Sequence, residues 1–266
     1  MPTEAVTTPD AWRLPGEARV LLASDMHLGE HDPATAGFFF DALSETLGDH
    51  THLILLGDLF EAWAGDDAAD AVAEQAVARI AALARDRAVA VMRGNRDFLL
   101  DVPVPGQHVR PFSARAGVRM LTDPTVIVIG ELRVLLAHGD AWCTADHDYM
   151  AFRAMTRDAA WQQAFLARPL AERLTIARQM REQSLAHQRQ PQAAMGDVDP
   201  AAVLASMHEN DVRWLVHGHT HRPGHHRWSD RGDPLHRLVL PDWDAGASRG
   251  GFVRIDANGA RQIDAI

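Results

Sequence analysis

The chain has 266 residues, 47% of them hydrophobic, with one cysteine, no lysine and a net charge of −10. That length suits one large domain, with or without an insertion, and can bury a core without disulfides; a single cysteine excludes an intrachain disulfide and points to a reducing compartment. The acidic balance argues against a nucleic-acid partner bound through a broad basic face, and the lack of lysine excludes Schiff-base chemistry and a P-loop.

From the N-terminus, residues 1–16 carry prolines and acids but no apolar core, so they read as an extension and as neither a signal nor a transit peptide. Val20–Ala23 is a short apolar strand running into Ser24-Asp25. Ala34–Leu47 reads as a helix with Phe38, Leu43 and Leu47 facing inward. His52–Leu56 is a second strand, ending at Gly57-Asp58. Ala68–Arg87 reads as an alanine-rich amphipathic helix, and Val89–Met92 as a third strand, ending at Arg93-Gly94-Asn95. This βαβαβ rhythm predicts a layered α/β fold with parallel strands. After Pro111, Thr125–Ile129 and Leu132–Ala137 flank Gly130-Glu131 as a β-hairpin that ends at His138-Gly139-Asp140. Residues 146–187 are predicted helical; on to residue 190 they carry Arg153, Arg157, Arg168, Arg173, Arg178, Arg181 and Arg189. Pro191–Pro200 reads as a loop. Arg213–Val216 is a strand leading into His217-Gly218-His219-Thr220-His221. Short strands His225–Trp228, His236–Leu240, Phe252–Ile255 and Arg261–Ile263 complete the chain. No apolar run approaches the length that spans a bilayer.

Five strand ends carry polar clusters: Asp25-Met26-His27, Gly57-Asp58, Gly94-Asn95, His138-Gly139-Asp140 and Gly218-His219-Thr220-His221. Ligands of open α/β sheets bind beyond the carboxyl ends of the strands, so these ends can converge on one spot. Carboxylate and amide oxygens and imidazole nitrogens are hard or borderline metal ligands. A pair of cations needs one carboxylate that gives an oxygen to each, and Asp58, after the second and central strand, is the candidate. One cation would take Asp25, His27, Asp58 and His221; the other would take Asp58, Asn95, His138 and His219. Such a pair clamps phosphoryl oxygens, turns water into hydroxide and stabilises an in-line transition state. It also supplies the positive charge that an acidic protein needs to receive a phosphate. Singly, an Asp-x-His is most often a turn or surface pair, and Gly-Asp after a strand only a turn. The conjunction of all five predicts metal-assisted hydrolysis of a phosphate ester or anhydride.

At these residues the sequence resembles the calcineurin-like metallophosphoesterases, whose pattern runs D-x-H, G-D, G-N-H-D, a histidine, then G-H-x-H. The resemblance implies an α/β fold arranged as a four-layer αββα sandwich, with a dinuclear Mn, Fe or Zn centre. Where most members have histidine after the asparagine, this chain has Arg96. Three longer stretches are similar to one branch, the UDP-2,3-diacylglucosamine pyrophosphatases: Gly57-Asp58-Leu59-Phe60-Glu61-Ala62-Trp63 with Gly65-Asp66-Asp67, Gly94-Asn95-Arg96-Asp97-Phe98-Leu99-Leu100, and His217-Gly218-His219-Thr220-His221-Arg222-Pro223. So is His138-Gly139-Asp140 with Cys143-Thr144, and the similarity runs from about Val20 to the C-terminus.

That branch implies cleavage of a lipid-linked nucleotide sugar to UMP and 2,3-diacylglucosamine 1-phosphate (lipid X) in lipid A biosynthesis. It further implies two Mn2+ per chain and a peripheral position on the cytoplasmic face of a Gram-negative inner membrane. By the resemblance, residues 17–266 form the metallophosphoesterase domain, with a helical lid inserted at about 146–200. Asn95, Arg96, His138 and His219 would be catalytic. Asn95, Arg96 and His219, with Asp146, Ser184 and Gln188 of the lid, would meet the substrate. An arginine fork at Arg96 suits a phosphate; the alternative for Arg96 is a surface ion pair. Gln188 stands where relatives carry asparagine, and Pro191 where they carry lysine. A monomer is the expected state, with no nucleic-acid partner.

The lid residues Phe152, Trp161, Phe165, Leu166, Leu170, Leu174, Ile176 and Met180 read in two ways. They are either the inner face of packed helices or an acyl-chain groove, with the arginines near an anionic headgroup or membrane surface. Cys143 reads as a small buried thiol, Asp140 as a group orienting a ligand histidine, and Asp97 as another such group or a turn cap. His217 is expected in a structural hydrogen bond, and His225, His226 and His236 facing solvent. Phe60 and Trp63 read as core or pocket wall, and His31 as a weaker site candidate. Two other functions stay open. One is a metallophosphoesterase acting on other nucleotide pyrophosphates or phosphodiesters, which would not need the insert or the Arg96 motif. The other is a non-catalytic scaffold, which would have lost ligands that this chain keeps.

Overall fold

A computed structural model describes residues 11–188 and 197–264, without the side chains of residues 183–188 and 264. Strand β1 (Trp12–Leu14) is followed by β2 (Val20–Ala23), α1 (Pro33–Leu47), β3 (His52–Leu56), α2 (Ala71–Leu83), β4 (Ala88–Met92), α3 (Phe112–Ala116) and β5 (Arg119–Leu121). A hairpin, β6 (Thr125–Ile129) and β7 (Leu132–Leu136), leads to α4 (His147–Arg157), α5 (Ala159–Leu166), α6 (Leu170–Gln188) and α7 (Pro200–Glu209). Then come β8 (Trp214–His217), β9 (Gly224–Asp230), β10 (Asp233–Val239), β11 (Gly251–Asp256) and β12 (Gly259–Asp264). The strands make two six-stranded sheets, ordered β12-β11-β2-β3-β4-β5 and β1-β6-β7-β8-β10-β9.

Strands β2, β3 and β4 pair in parallel and are buried at almost every position, which is why they read as unbroken apolar runs. The two-residue period of a strand splits those runs between two cores. Val20, Leu22, Ile54, Leu56, Ala90 and Met92 face the other sheet and pack with Ile127, Val134, Leu136 and Val216. Leu21, Leu53, Leu55, Val89 and Val91 face outward onto Phe39 and Leu43 of α1 and Val77 and Ile80 of α2. A third core lies on the far side of the second sheet, where Val203 and Met207 of α7 cover Val126, Val128, Leu135 and Leu215. Helix, sheet, sheet and helix thus enclose three apolar seams, the four-layer αββα sandwich.

Several expectations change. Residues read as an N-terminal extension include β1, which pairs in parallel with β6, so a boundary after residue 16 leaves a strand outside its sheet. The second helix is shorter than 68–87 because Asp70 caps it, accepting from the Ala73 N–H. The helical run 146–187 is three helices: Asp158 ends α4 and caps α5, and Pro169 precedes α6. Helix α7 starts at an Asp199 cap with Pro200 in its first turn.

The insert α4–α6 is fastened to the body by its arginines. Arg173 has no exposed side chain; it forks onto Asp67 at 2.8 and 2.5 Å and donates to the Ala64 carbonyl at 2.5 Å. Arg153 and Arg157 reach Asp140, and Arg181 reaches Glu61. The arginines read as facing a headgroup or membrane are, at these four positions, turned inward, because the acids they match lie on the body. Arg168, in the turn before α6, pairs with Glu172 in the first turn of that helix. Arg189 and Pro191 lie outside the described residues.

Candidate active site

The five polar clusters meet where the strands of both sheets end. Asp25, His27, Asp58, His219 and His221 have φ of 57, 50, 51, 65 and 52°, and are five of the nine non-glycine residues with positive φ among the described residues. Such conformations are uncommon for side-chain-bearing residues and persist only where surroundings enforce them. Here main-chain bonds between the loops do so: Asp25 N–H to Gly57 O at 3.1 Å, His27 N–H to Asp58 O at 2.9 Å, and Leu28 N–H to Leu59 O at 2.9 Å. Close approach also demands two glycines. A Cβ on Gly94 would collide with the Asp58 carboxylate, and one on Gly218 with Ser24 and the Asp25 carboxylate.

Lone pairs converge at the centre. His138 has Nδ1 2.9 Å from the Leu56 carbonyl, so that nitrogen carries the proton. Its Nε2 then presents a lone pair 2.9 Å from Asn95 Oδ1 and 3.6 Å from Asp58 Oδ1. His219 Nδ1 is also 2.9 Å from Asn95 Oδ1. On the other side, His27 Nε2 and His221 Nε2 face each other at 3.4 Å. Carboxylates stand behind both rings, Glu61 3.1 Å from His27 Nδ1 and Asp242 3.6 Å from His221 Nδ1. Asp25 Oδ1 is buried without a hydrogen-bond partner, 3.5 Å from His221 Nε2. Asp25, His27 and His221 offer ligand atoms within 4.8 Å of one another, and so do Asp25, Asp58 and His138. Carboxylate oxygens, an amide oxygen and imidazole nitrogens gathered around one point suit a divalent cation, and a carboxylate stands beside the outer nitrogen of both His27 and His221.

The charges tell the same story. Burial alone would lower His138, but Asp58, Asp25, Asp140 and Asp123 together push it up to about 9. Burial opposes ionisation of Asp25, yet His221, His138 and His27 hold it well below the usual carboxylate range. Burial and the charge of His138 take His219 down to about 4, leaving a neutral ring. Glu61 is also drawn down, to about 2: burial resists, and His27, Arg96 and Arg181 prevail.

Of the other residues, Asp140, His225 and His236 depart from the roles expected of them, whereas Asp97, His217, His226, Phe60 and Trp63 keep theirs. Asp140 orients no ligand ring; it accepts from Tyr149 Oη at 2.9 Å and Arg153 Nε at 2.9 Å. Asp97 acts as a loop clasp, accepting from the N–H groups of Gly94 at 2.7 Å and Leu59 at 2.8 Å. His217 makes its hydrogen bond to the Gly218 carbonyl at 2.9 Å. His225 and His236 are half-buried, and His236 stacks on Trp214 at 4.0 Å, because that pair covers an apolar ring; His226 is exposed. Cys143 is half-buried, and burial pushes its thiol up to about 12, an inert state. Phe60 and Trp63 stack at 4.5 Å, and Trp63 also lines the cavity beside the site. Asp146 caps α4, accepting from Tyr149 N–H at 2.9 Å. The side chains of Ser184 and Gln188 lie outside the described residues. Four participants were not among the site residues expected from the sequence: Glu61, Tyr149, Arg181 and Asp242. Asp242 had a signal available, since it too closely follows a strand end.

Comparison with known proteins agrees with this geometry. The pattern described as Calcineurin-like phosphoesterase matches residues 18–223, and the chain belongs to that family, whose members depend on divalent metals. The UDP-2,3-diacylglucosamine hydrolase of Bordetella pertussis is 42% identical over 92% of this chain and 94% of its own length. The protein of the same name from Chromobacterium violaceum is 43% identical over 90% of this chain and 96% of its own. That from Chromohalobacter salexigens is 42% identical over 89% and 92%. Divalent cations held by this donor set would neutralise phosphoryl oxygens and acidify water.

Proposed function

We propose that this chain is a hydrolase that cleaves the pyrophosphate of UDP-2,3-diacylglucosamine to UMP and 2,3-diacylglucosamine 1-phosphate in lipid A biosynthesis. The observation that carries the substrate is a cavity of about 290 Å³ beside the site. It has Glu61, Asn95 and Arg96 at its polar end and Phe98, Phe152 and Met180 along an apolar wall. A phosphate seat that opens onto apolar surface suits an amphiphile whose scissile anhydride joins a nucleotide to an acylated sugar. The two readings of the lid side chains both find support, since Phe165 and Leu166 enter the core while Phe152 and Met180 line the cavity.

Two Mn2+ ions would be held, one by Asp25, His27, Asp58 and His221, the other by Asp58, Asn95, His138 and His219. Asp58 turns Oδ2 toward His27 at 4.0 Å and Oδ1 toward His138 at 3.6 Å, which supports a bridging carboxylate. Asn95, Arg96 and His219 would position the phosphate, with Asp146, Ser184 and Gln188 contributing from the insert, which acts as the lid. The protein would work as a monomer on the cytoplasmic face of the inner membrane. No helix among the described residues is long and apolar enough to cross a membrane. Met155, Leu170 and Leu174, exposed large apolar side chains, all lie on the insert and suit a peripheral contact.

The test is UMP release from the diacylated UDP-sugar, measured beside simple phosphodiesters, with Mn2+ and with chelator. Metal-dependent UMP release, with simple phosphodiesters turned over poorly, is the expected result. Brisk phosphodiester cleavage with no UMP release would overturn the substrate.

A further inference from the structure

Glu61 occupies an unusual place for an acid. Its side chain is 13% exposed, and its oxygens divide between two tasks. Oε2 lies 3.1 Å from His27 Nδ1. Oε1 lies 2.5 Å from Arg181 Nε on α6 and 4.0 Å from Arg96 Nη1. The Glu61 N–H donates to the Leu28 carbonyl at 3.1 Å, so the loop carrying His27 fixes where this carboxylate stands. Glu61, Arg96 and Arg181 all line the cavity. Two guanidinium groups and an imidazole around one point form a seat for an oxyanion, and a carboxylate of the chain itself sits in it.

A carboxylate that only repelled would be a poor neighbour for a phosphate, so its partners explain its presence. We propose that Glu61 is a built-in competitor for the anion seat: it holds Arg96 and Arg181, and a phosphate engages both arginines only by taking them from it. Glu61 is therefore a positioning residue that sets how tightly a phosphate group is held as it enters or leaves. The proposal rests on the reading above that Arg96 meets phosphate. Asp242 supplies the contrast. It stands behind His221 as Glu61 stands behind His27, but its oxygens answer Arg249 at 2.6 and 2.7 Å, and neither residue lines the cavity.

The experiment uses the full chain, with inorganic phosphate as the probe. Its binding is read by calorimetry with and without Mn2+, and by competition against turnover. Glu61→Gln removes one negative charge a few Å from the seat and should tighten phosphate at least about tenfold. It should lower KM by more than it changes kcat. Asp242→Asn should weaken metal retention without tightening phosphate. Adding Arg96→Ala to Glu61→Gln should cancel the gain. Glu61→Asp, which keeps the charge but shortens its reach, should shift phosphate affinity in the same direction by less, and it serves where Glu61→Gln folds poorly. Unchanged or weaker phosphate binding in both Glu61 variants would overturn the proposal and leave Glu61 as a support for His27. Phosphate binding by calorimetry needs no nucleotide sugar, so failure of UMP release alone would sink the substrate and leave this inference standing.

Discussion

In the floor of the site, Asp25, His27 and Asp58 are placed by the main chain: left-handed turns at strand ends, bonded loop to loop through N–H and carbonyl groups. The insert above is placed by side chains: Arg173 forked on Asp67, Arg153 and Arg157 on Asp140, and Arg181 on Glu61. A backbone-built floor keeps its geometry when one side chain is lost, because the sheets still hold every loop. An insert held by guanidinium–carboxylate pairs beside its apolar anchors Phe165 and Leu166 is more easily shifted, since each pair lost also strands a charge. On the proposed function, chemistry and substrate reach are therefore separable, the first resting on the sheets and the second on an insert held by its arginines and by Phe165 and Leu166 in the core.

The sharpest way to break that division is Asp58→Ala. The floor should stay folded while turnover falls by about 10³-fold or more, at least about 4 kcal/mol of transition-state stabilisation. Metal content by elemental analysis should fall with it, and near-normal turnover would end the two-cation reading. Arg173→Ala addresses the other region. Breaking a pair whose arginine is fully buried should cost about 3 kcal/mol in denaturant unfolding. It should also raise KM for the diacylated substrate while sparing cleavage of a small phosphodiester; equal loss on both substrates would mean floor and insert are one unit. Arg96→Ala, at the seam between the regions, should cost about 2–3 kcal/mol in kcat/KM on the lipid substrate.

The same division explains what could be read from residue order. Strand ends that carry Asp, His and Asn are written locally, as in His52–Leu56 followed by Gly57-Asp58, so the floor was legible: each candidate ligand follows a strand end. Bounds of β2, β3 and β6 were legible for the same reason, since each is an apolar run closed by polar residues. The partners of the insert were not. Arg173 and Asp67 are 106 residues apart, and Arg181 and Glu61 are 120 apart. Nothing in an arginine-rich helix says which acid it will meet, so charge density there looked like a surface for anions. The edge strand β1 escaped because three residues are too short to show alternation, and its pairing with β6 is not local. Helix α7 did have a signal in Asp199-Pro200, a cap followed by a first-turn proline.

Acidity divides the two regions once more and gives the gentlest test. His138, at the floor, is raised from 6.5 to about 9: burial would lower it, but Asp58, Asp25, Asp140 and Asp123 prevail. The folded chain therefore binds this proton more tightly than the unfolded chain does. Without metal, that proton stabilises the fold fully below about pH 6.5, and the contribution is lost as pH rises through about 9. Its size is on the order of 3 kcal/mol. A cation held by His138 would need the unprotonated ring, so on the proposed function Mn2+ binding would release this proton and strengthen across the same window. Thermal melts in chelator should show stability falling from pH 6.5 to 9, while melts in Mn2+ stay level, so that the gap widens with pH. Flat melts in chelator would mean that the carboxylates around His138 do not act on it together, whereas His138→Gln should flatten the chelator curve alone and leave the Arg173–Asp67 fastening of the insert untouched.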